Sequence, residues 1–155
     1  MNEFYDSEQL AGITRIDFYL LEEISNFPIV LTDQNSTQIV FWPNQSNVVA
    51  TVDEDSLVDD TTIKDSTAGS IHEINLKYNI ITRSQEIENL LDNYKNKPGI
   101  AIVTYHSGDR KLFGTDEEPL LLKYNNKPGS NISDKAFIAV TITGETRNRP
   151  VYFNV

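Results

Sequence analysis

The sequence predicts a mainly β protein of the α+β class, in which a β-sandwich or open barrel is flanked by one α-helix. Short apolar–polar alternations recur along the chain, one segment near position 90 has helical spacing, and turn-forming residues separate these segments. With 155 residues, of which 39% are hydrophobic, the chain can bury a sizeable core. We therefore expect one domain over residues 1–155, with a polar N-terminal arm at residues 1–10.

Strands are expected first at residues 13–24, then at 38–42 and 47–52, and most clearly at 71–81, IHEINLKYNII. β-branched and aromatic residues favour strand over helix in the first segment, which the residue before Pro28 ends. The residues that alternation places on one face are Ile16, Phe18 and Leu20 in the first strand and His72, Ile74, Leu76, Tyr78 and Ile80 in the longest one.

One helix is predicted over about residues 83–95. Thr82 and Gln85 match the capping box that satisfies the backbone donors at a helix start. Lys95 and Lys97 suit the negative end of the helix dipole, and the Pro-Gly sequence that follows ends the helix. The residues at helical spacing are Ile87, Leu90, Leu91 and Tyr94.

The C-terminal third predicts a further group of short strands that ends in an exposed terminal strand. Turn chemistry occurs at residues 107–109, 96–99 and 125–130, and each of the last two segments contains the sequence Asn-Lys-Pro-Gly. The expected strands are residues 100–105, 110–113, 118–124, 135–143 and 150–153. The apolar run at 100–105 predicts that this strand is buried.

The segment 53–70, DEDSLVDDTTIKDSTAGS, is the most acidic part of the chain and is predicted to be a long loop or the tip of an extended hairpin. It carries six carboxylates against one lysine. An EF-hand loop needs glycine at its sixth position and glutamate at its twelfth, where this sequence has Val58 and Lys64. We therefore expect a solvated or partner-facing segment, and calcium binding by an irregular loop is the open alternative. Its candidate interface residues are Asp53, Glu54, Asp55, Asp59 and Asp60.

A basic turn, Thr-Arg-Asn-Arg-Pro at residues 146–150, is the local exception to the acidic balance. Arg147 and Arg149 can bind carboxylates in a fork geometry, and Tyr152 lies in the strand that follows. The basic turn and the acidic segment suit head-to-tail association, in which different surfaces of identical subunits meet. A charged hairpin turn without a partner is the alternative interpretation.

Composition argues against several other classes of function. A net charge of -10 disfavours DNA binding over a broad face, because phosphate affinity depends on lysine and arginine. The chain has no cysteine, and His72 and His106 fit their strands without a ligand role. No nucleophile elbow or phosphate loop occurs, so neither an enzyme nor a cofactor is expected.

Localisation is predicted from two further features of the sequence. No apolar run approaches the roughly 18 residues of a membrane span, and the N-terminal residues lack the pattern of a signal peptide. We therefore expect a protein made in a cytoplasm, with no membrane segment.

Three motifs carry a family resemblance: Gly-Ile-x-x-Ile at residues 12–16, Leu-Phe-Gly-Thr-Asp-Glu-Glu-Pro-Leu at 112–120, and Gly-Glu-Thr-x-x-Arg-Pro-Val-Tyr-Phe at 144–153. With them the chain resembles small tail and neck proteins of bacteriophages and prophages of gut Bacteroidetes. The ring proteins of crAss-like phages, which stack below the portal to form the tail barrel, are similar. The resemblance covers most of the chain and is densest in its last third.

The resemblance implies a fold of the phage tail-tube or tail-terminator type, with a loop or hairpin that reaches a neighbouring subunit. It implies a virion structural protein made in the host bacterial cytoplasm, without catalytic activity. Its partners would be copies of itself in a closed ring of about six or twelve, and adjacent tail, ring or portal proteins. DNA would pass through an acidic lumen during ejection without specific binding.

Two other functions are open from the residues alone. A carbohydrate-binding β-sandwich module could stack sugar rings on its aromatic side chains, and an acidic inhibitor could mimic DNA. The first needs several aromatic residues on one exposed face, and the second needs carboxylates at phosphate-like spacing. The candidate stacking residues are Tyr19, Trp42, Tyr105 and Tyr124.

Overall fold

The computed structural model describes residues 12–28, 32–34, 38–41, 52–53, 56–81, 84–127 and 136–153. These residues form a mainly β fold in which a curled, open sheet makes a half-barrel with one α-helix, as predicted. The strands are β1 (Ile13–Leu20), β2 (Ile24–Asn26), β3 (Val40–Phe41), β4 (Val58–Asp59), β5 (Thr62–Ser66), β6 (Gly69–Ile80), β7 (Pro98–Tyr105), β8 (Arg110–Phe113), β9 (Leu120–Lys127), β10 (Phe137–Thr146) and β11 (Val151–Tyr152). The helix α1 is Gln85–Tyr94, and a 3-10 turn covers Leu21–Glu23.

Within the described residues, nine strands form one sheet in the order β11-β8-β7-β9-β10-β6-β4. Strand β1 pairs with β7, and β5 pairs with β6 beside β4. All of these pairings are antiparallel. Strands β2 and β3 form a small second sheet.

The main core lies on the face of the sheet that we call the inner face. Alternation along β6, β9 and β10 buries every second side chain there, and Leu91 and Tyr94 of α1 pack onto it. The Tyr94 ring meets Phe18 edge to face, with 6.2 Å between ring centroids. Fully buried members include Ile74, Leu76, Ile80, Leu120, Leu122, Ile138, Val140 and Ile142.

A second apolar cluster lies on the other face of β7. Ile100 and Ile102 point into this cluster, whereas Ala101 and Val103 point into the main core, so β7 is buried on both faces. A strand covered on both sides reads as a continuous apolar run. This confirms the buried strand predicted at residues 100–105.

Most predicted element boundaries differ from the structure by a few residues, and three of these differences have a physical cause in the contacts. The first strand ends at Leu20, because the 3-10 turn separates it from β2. The N-cap of α1 is Ser84, whose Oγ accepts a hydrogen bond from the Ile87 N–H at 3.2 Å, and not Thr82. Strand β9 continues to Lys127, where a turn was predicted, because residues 121–127 pair with β10. Cross-strand pairing outweighs the turn preference of the asparagines.

The predicted strand at residues 47–52 and the polar arm at 1–10 lie almost entirely outside the described residues. Val52, at the end of the first of these, forms a bridge with Ile80. The assignment of residues 1–155 to one domain stays a prediction.

Candidate functional site

Residues 58–66 of the acidic segment form the edge strand of a long hairpin, the second of the two forms predicted for the segment. Val58 pairs with Lys77 and Ser66 pairs with Gly69, so β4 and β5 follow β6 in one unbroken register. A two-residue turn, Thr67 and Ala68, joins the strands. Every residue from 62 to 71 is exposed, and we call these residues the hairpin arm.

The two faces of this hairpin differ in charge. On the outer face the charged side chains are paired, Lys64 with Glu73 at 2.5 Å and Lys77 with Asp60 at 3.4 Å. The cross-strand register places Asp59, Ile63 and Asp65 on the inner face, beside Leu76, His72 and Ser70 respectively.

On that inner face, Ile63 is 61% exposed, the largest value among the exposed large apolar side chains of the described residues. Asp65 accepts a hydrogen bond from Ser70 Oγ at 2.5 Å, and Asp59 accepts one from the Thr61 N–H at 2.9 Å. Neither carboxylate forms an ion pair within the described part of the chain. The inner face of the arm therefore combines an exposed apolar side chain with uncompensated negative charge.

The hairpin also carries a free sheet edge. In an antiparallel hairpin closed by a two-residue turn, alternate residues direct their backbone groups away from the partner strand. Asp60 donates inward to Asn75 O at 2.8 Å, so the odd-numbered residues face outward. Asp59 caps the outward N–H of Thr61. The described residues provide no hydrogen-bond partner for the outward backbone N–H and C=O groups of Ile63 and Asp65.

The opposite edge of the sheet, at β11, is closed by a side chain. Asp33 Oδ1 accepts the outward N–H of Tyr152 at 2.9 Å, while its other oxygen binds Arg149 Nη2 at 2.6 Å. The hydrogen bond from Arg149, followed by that from Tyr152, lowers the pKa of Asp33 below its usual value. A carboxylate on the edge prevents another strand from adding there. The terminal strand lies at the sheet edge, as predicted, but this edge is already capped.

Both arginines of the basic turn bind carboxylates of their own chain. Arg149 binds Asp33, and Arg147 Nε lies 3.6 Å from Glu118 Oε2. Glu118 also accepts the Arg147 backbone N–H, at 3.2 and 3.1 Å to its two oxygens. The sequence suggested the acidic segment as their partner, and within one chain the structure does not bring the two together.

Of the remaining predicted interface residues, the structure describes Asp53 and Tyr152, which lie at different edges of the sheet. Asp53 donates its backbone N–H to Asn79 O at 2.9 Å, at the base of the hairpin. Glu54 and Asp55 lie outside the described residues. Tyr152 is 38% exposed, and Lys111 Nζ lies 5.0 Å from the centroid of its ring. Their role in an interface stays a prediction.

A cleft of about 240 Å³ lies where two of the sequence motifs meet, at residues 114–118 and 146–150. Phe27, Pro28 and Pro150 contribute apolar walls, and Asp116 and Glu117 are exposed at its rim. The Glu118 N–H donates to Thr115 Oγ1 at 2.9 Å, and Thr146 Oγ1 donates to Asn148 O at 2.8 Å. These bonds fix the two turns but do not assemble a reacting group.

A cationic surface that the sequence interpretation missed lies on the outer face of β9. Leu121, Lys123 and Lys127 alternate outward there, and we call them the lysine surface. Leu121 is 37% exposed, and the ion pairs of the described residues include neither lysine. Lys123 lies opposite Thr141, which in turn lies opposite Lys77 of β6. The period-two pattern from position 120 to 127 was the signal that could have identified it.

The residues considered for other functions are dispersed. His72 lies in β6 opposite Ile63, and His106 lies in the turn after β7. The described residues contain no group of three or more potential metal ligands. Tyr19 packs against the second cluster, whereas Tyr105 and Tyr124 pack against the main core. The described tyrosines therefore do not form one stacking platform, and Trp42 lies outside the described residues.

Comparisons with protein-family models, with curated proteins and with solved structures gave no match. Among the described residues there is no helix of the length and apolar character that a membrane span requires.

Proposed function

We propose that this chain is a virion structural protein, a ring-forming subunit of a phage tail or head–tail connector around the DNA channel. The observation that supports this best is the hairpin arm, which extends the sheet past its main core. The resemblance of residues 12–16, 112–120 and 144–153 to phage ring proteins points to the same role.

The arm has the properties of a segment that is stabilised by a neighbour. A two-stranded hairpin on its own is marginally stable in water at best. This one has a free edge at Ile63 and Asp65 and buries no large side chain between residues 62 and 71. A free, exposed edge strand is a template for pairing or packing with another chain. Contact with a second copy would cover the arm.

The surfaces available for contact favour a head-to-tail arrangement. The arm end of the sheet is acidic, and the lysine surface lies on another part of the molecule. Contact between two different surfaces generates a ring when the rotation closes. A chain with a net charge of -10 would also give such a ring a lumen that repels DNA and lets it pass.

Trimming the arm tests this function. Residues 63–72 are replaced by Asn-Gly, which joins Thr62 and Glu73 through a two-residue turn without changing the register. Like Ser66 and Gly69 at the native turn, Thr62 and Glu73 are a hydrogen-bonded cross-strand pair, which a two-residue turn requires. The control variant replaces only Thr67 and Ala68 by Asn-Gly, which keeps the full arm. Native mass spectrometry and sedimentation velocity measure the assembly of both variants and of the unmodified protein.

We expect the unmodified protein and the control to form a closed oligomer of one size, and the trimmed variant to be a folded monomer with an unchanged near-UV spectrum. If the trimmed variant assembled to the same extent as the unmodified protein, the arm would not be part of the interface. A protein that stays monomeric at high concentration with its arm intact would overturn the proposed function.

A further inference from the structure

We propose that the inner face of the hairpin arm of one copy docks on the lysine surface of a second copy, with Ile63 against Leu121 and Asp65 against Lys123. This inference rests on the proposed function, because it names the two surfaces through which the subunits would meet.

The two surfaces are complementary in both charge and polarity. Within the described residues, neither the Asp65 carboxylate nor the Lys123 ammonium group forms an ion pair. Beside them lie Ile63 and Leu121, which are 61% and 37% exposed. An apolar contact next to a charge pair is the combination that fixes both affinity and register in protein interfaces.

The spacing of the groups also matches. Ile63 and Asp65 are two residues apart on one face of β5, and Leu121 and Lys123 are two residues apart on one face of β9. Two residues along a strand span about 6.6 Å. Two strands laid face to face can therefore form the apolar contact and the ion pair simultaneously.

A single chain cannot make this contact. The sheet separates the surfaces, since Ile63 lies on the inner face with His72, whereas Lys123 lies on the outer face in the row of Thr141 and Lys77. Along β6, His72 and Lys77 are a further ~17 Å apart at about 3.4 Å per residue. The partner must be a second copy, and the contact joins unlike surfaces.

The basic turn is the weaker candidate for the same role. Arg147 and Arg149 are already paired with Glu118 and Asp33 of their own chain. An arm that docked there would have to displace those carboxylates. The lysine surface offers cations without that competition.

A charge swap tests the inference. Asp65→Lys gives a positive arm that faces the positive surface of the next copy, and Lys123→Glu gives a negative surface that faces a negative arm. Each variant alone should associate about tenfold more weakly than the unmodified protein, or worse. An equimolar mixture should recover association, because both kinds of contact are then between opposite charges.

Native mass spectrometry of the mixture, with one variant labelled with nitrogen-15, should show oligomers that contain both variants in equal numbers. The controls are Glu22→Lys, an exposed reversal away from both surfaces, and Arg147→Glu, which lies in the basic turn. We expect both controls to associate like the unmodified protein.

The outcomes separate this inference from the function on which it rests. If the unmodified protein associates and Lys123→Glu and Asp65→Lys associate equally well, the lysine surface is not the docking site and the ring function stands. If only Arg147→Glu lost association, the docking site for the arm would be the basic turn and not the lysine surface. If the unmodified protein does not associate at all, both proposals fail.

Discussion

Gly99 lies where three strands meet, and its substitution by alanine tests the architecture that positions the hairpin. It pairs with Leu20 of β1 on one side and with Leu120 of β9 on the other. A Cβ atom at this position would lie 2.5 Å from Phe18 Cζ and closer still to the carbonyl oxygen of Tyr19. That oxygen belongs to the backbone of β1, so relief requires the strand to shift.

The cost follows from this geometry. Overpacking a well-packed core costs about 1–3 kcal/mol, and contact with backbone puts Gly99→Ala at the upper end, about 3 kcal/mol. The lower entropy of the unfolded alanine chain returns up to about 1 kcal/mol. The net loss of about 2 kcal/mol corresponds to a fall in melting temperature of about 4–8 °C for a chain of this size.

Thermal unfolding followed by circular dichroism measures this effect, with Gly144→Ala as the matched control. A Cβ at Gly144 would lie 2.5 Å from Leu120 Cδ2, the end of a flexible side chain, and 3.0 Å from the carbonyl oxygen of Pro119. We expect the Gly144 variant to lose less stability than the Gly99 variant. Equal melting temperatures for Gly99→Ala and the unmodified protein, or the reverse order of the two variants, would refute the three-strand junction.

Three further predictions concern single side chains. Removal of the helix cap in Ser84→Ala should lower the free energy of unfolding by about 1 kcal/mol, measured by urea denaturation; no change would mean that Ser84 does not cap α1. Burial raises the pKa of the Glu23 carboxyl, although a hydrogen bond from Tyr94 opposes the shift. The folded state therefore keeps the Glu23 carboxyl protonated to higher pH than the unfolded state does. The stability that the protonated carboxyl contributes is lost as pH rises through the folded pKa. Glu23→Gln should accordingly raise the melting temperature at pH 7 and leave it unchanged at pH 3, and an equal rise at both would exclude ionisation as the cause. Burial raises the pKa of Tyr105 to about 12, so the stability linked to its neutral phenol is present below the usual value of about 10 and is lost from there through 12. Tyr105→Phe should flatten the fall in melting temperature over that range, and an unchanged slope would contradict the assignment.

Much of the fold could be predicted from local pattern. The period-two alternation of residues 71–81 identified β6, the helical spacing before Lys95 identified α1, and the continuous apolar run of β7 indicated burial on both faces. These signals survive because they reflect which face of an element is buried. The predicted end of β9 was wrong because pairing with β10, a long-range contact, decides the conformation of residues 125–127.

The candidate surfaces were harder to predict because each depends on pairing between distant residues. The sequence located the acidic segment, but only its register with β6 shows that Asp60 is neutralised and Asp65 is not. Asp33, which is 116 residues from Arg149 in sequence, gave no signal that it would bind the basic turn. The outward position of Lys123 follows from β9, a strand that the sequence predicted at residues 118–124 without assigning a function to its outer face.

The central claim is that the chain assembles through its hairpin arm, and native mass spectrometry of the unmodified and arm-trimmed proteins at equal concentration and low ionic strength tests it most directly. We expect one closed oligomer of defined size for the unmodified protein and single chains for the variant that lacks residues 63–72. Identical spectra for the two proteins, whether both are oligomers or both are single chains, would contradict it.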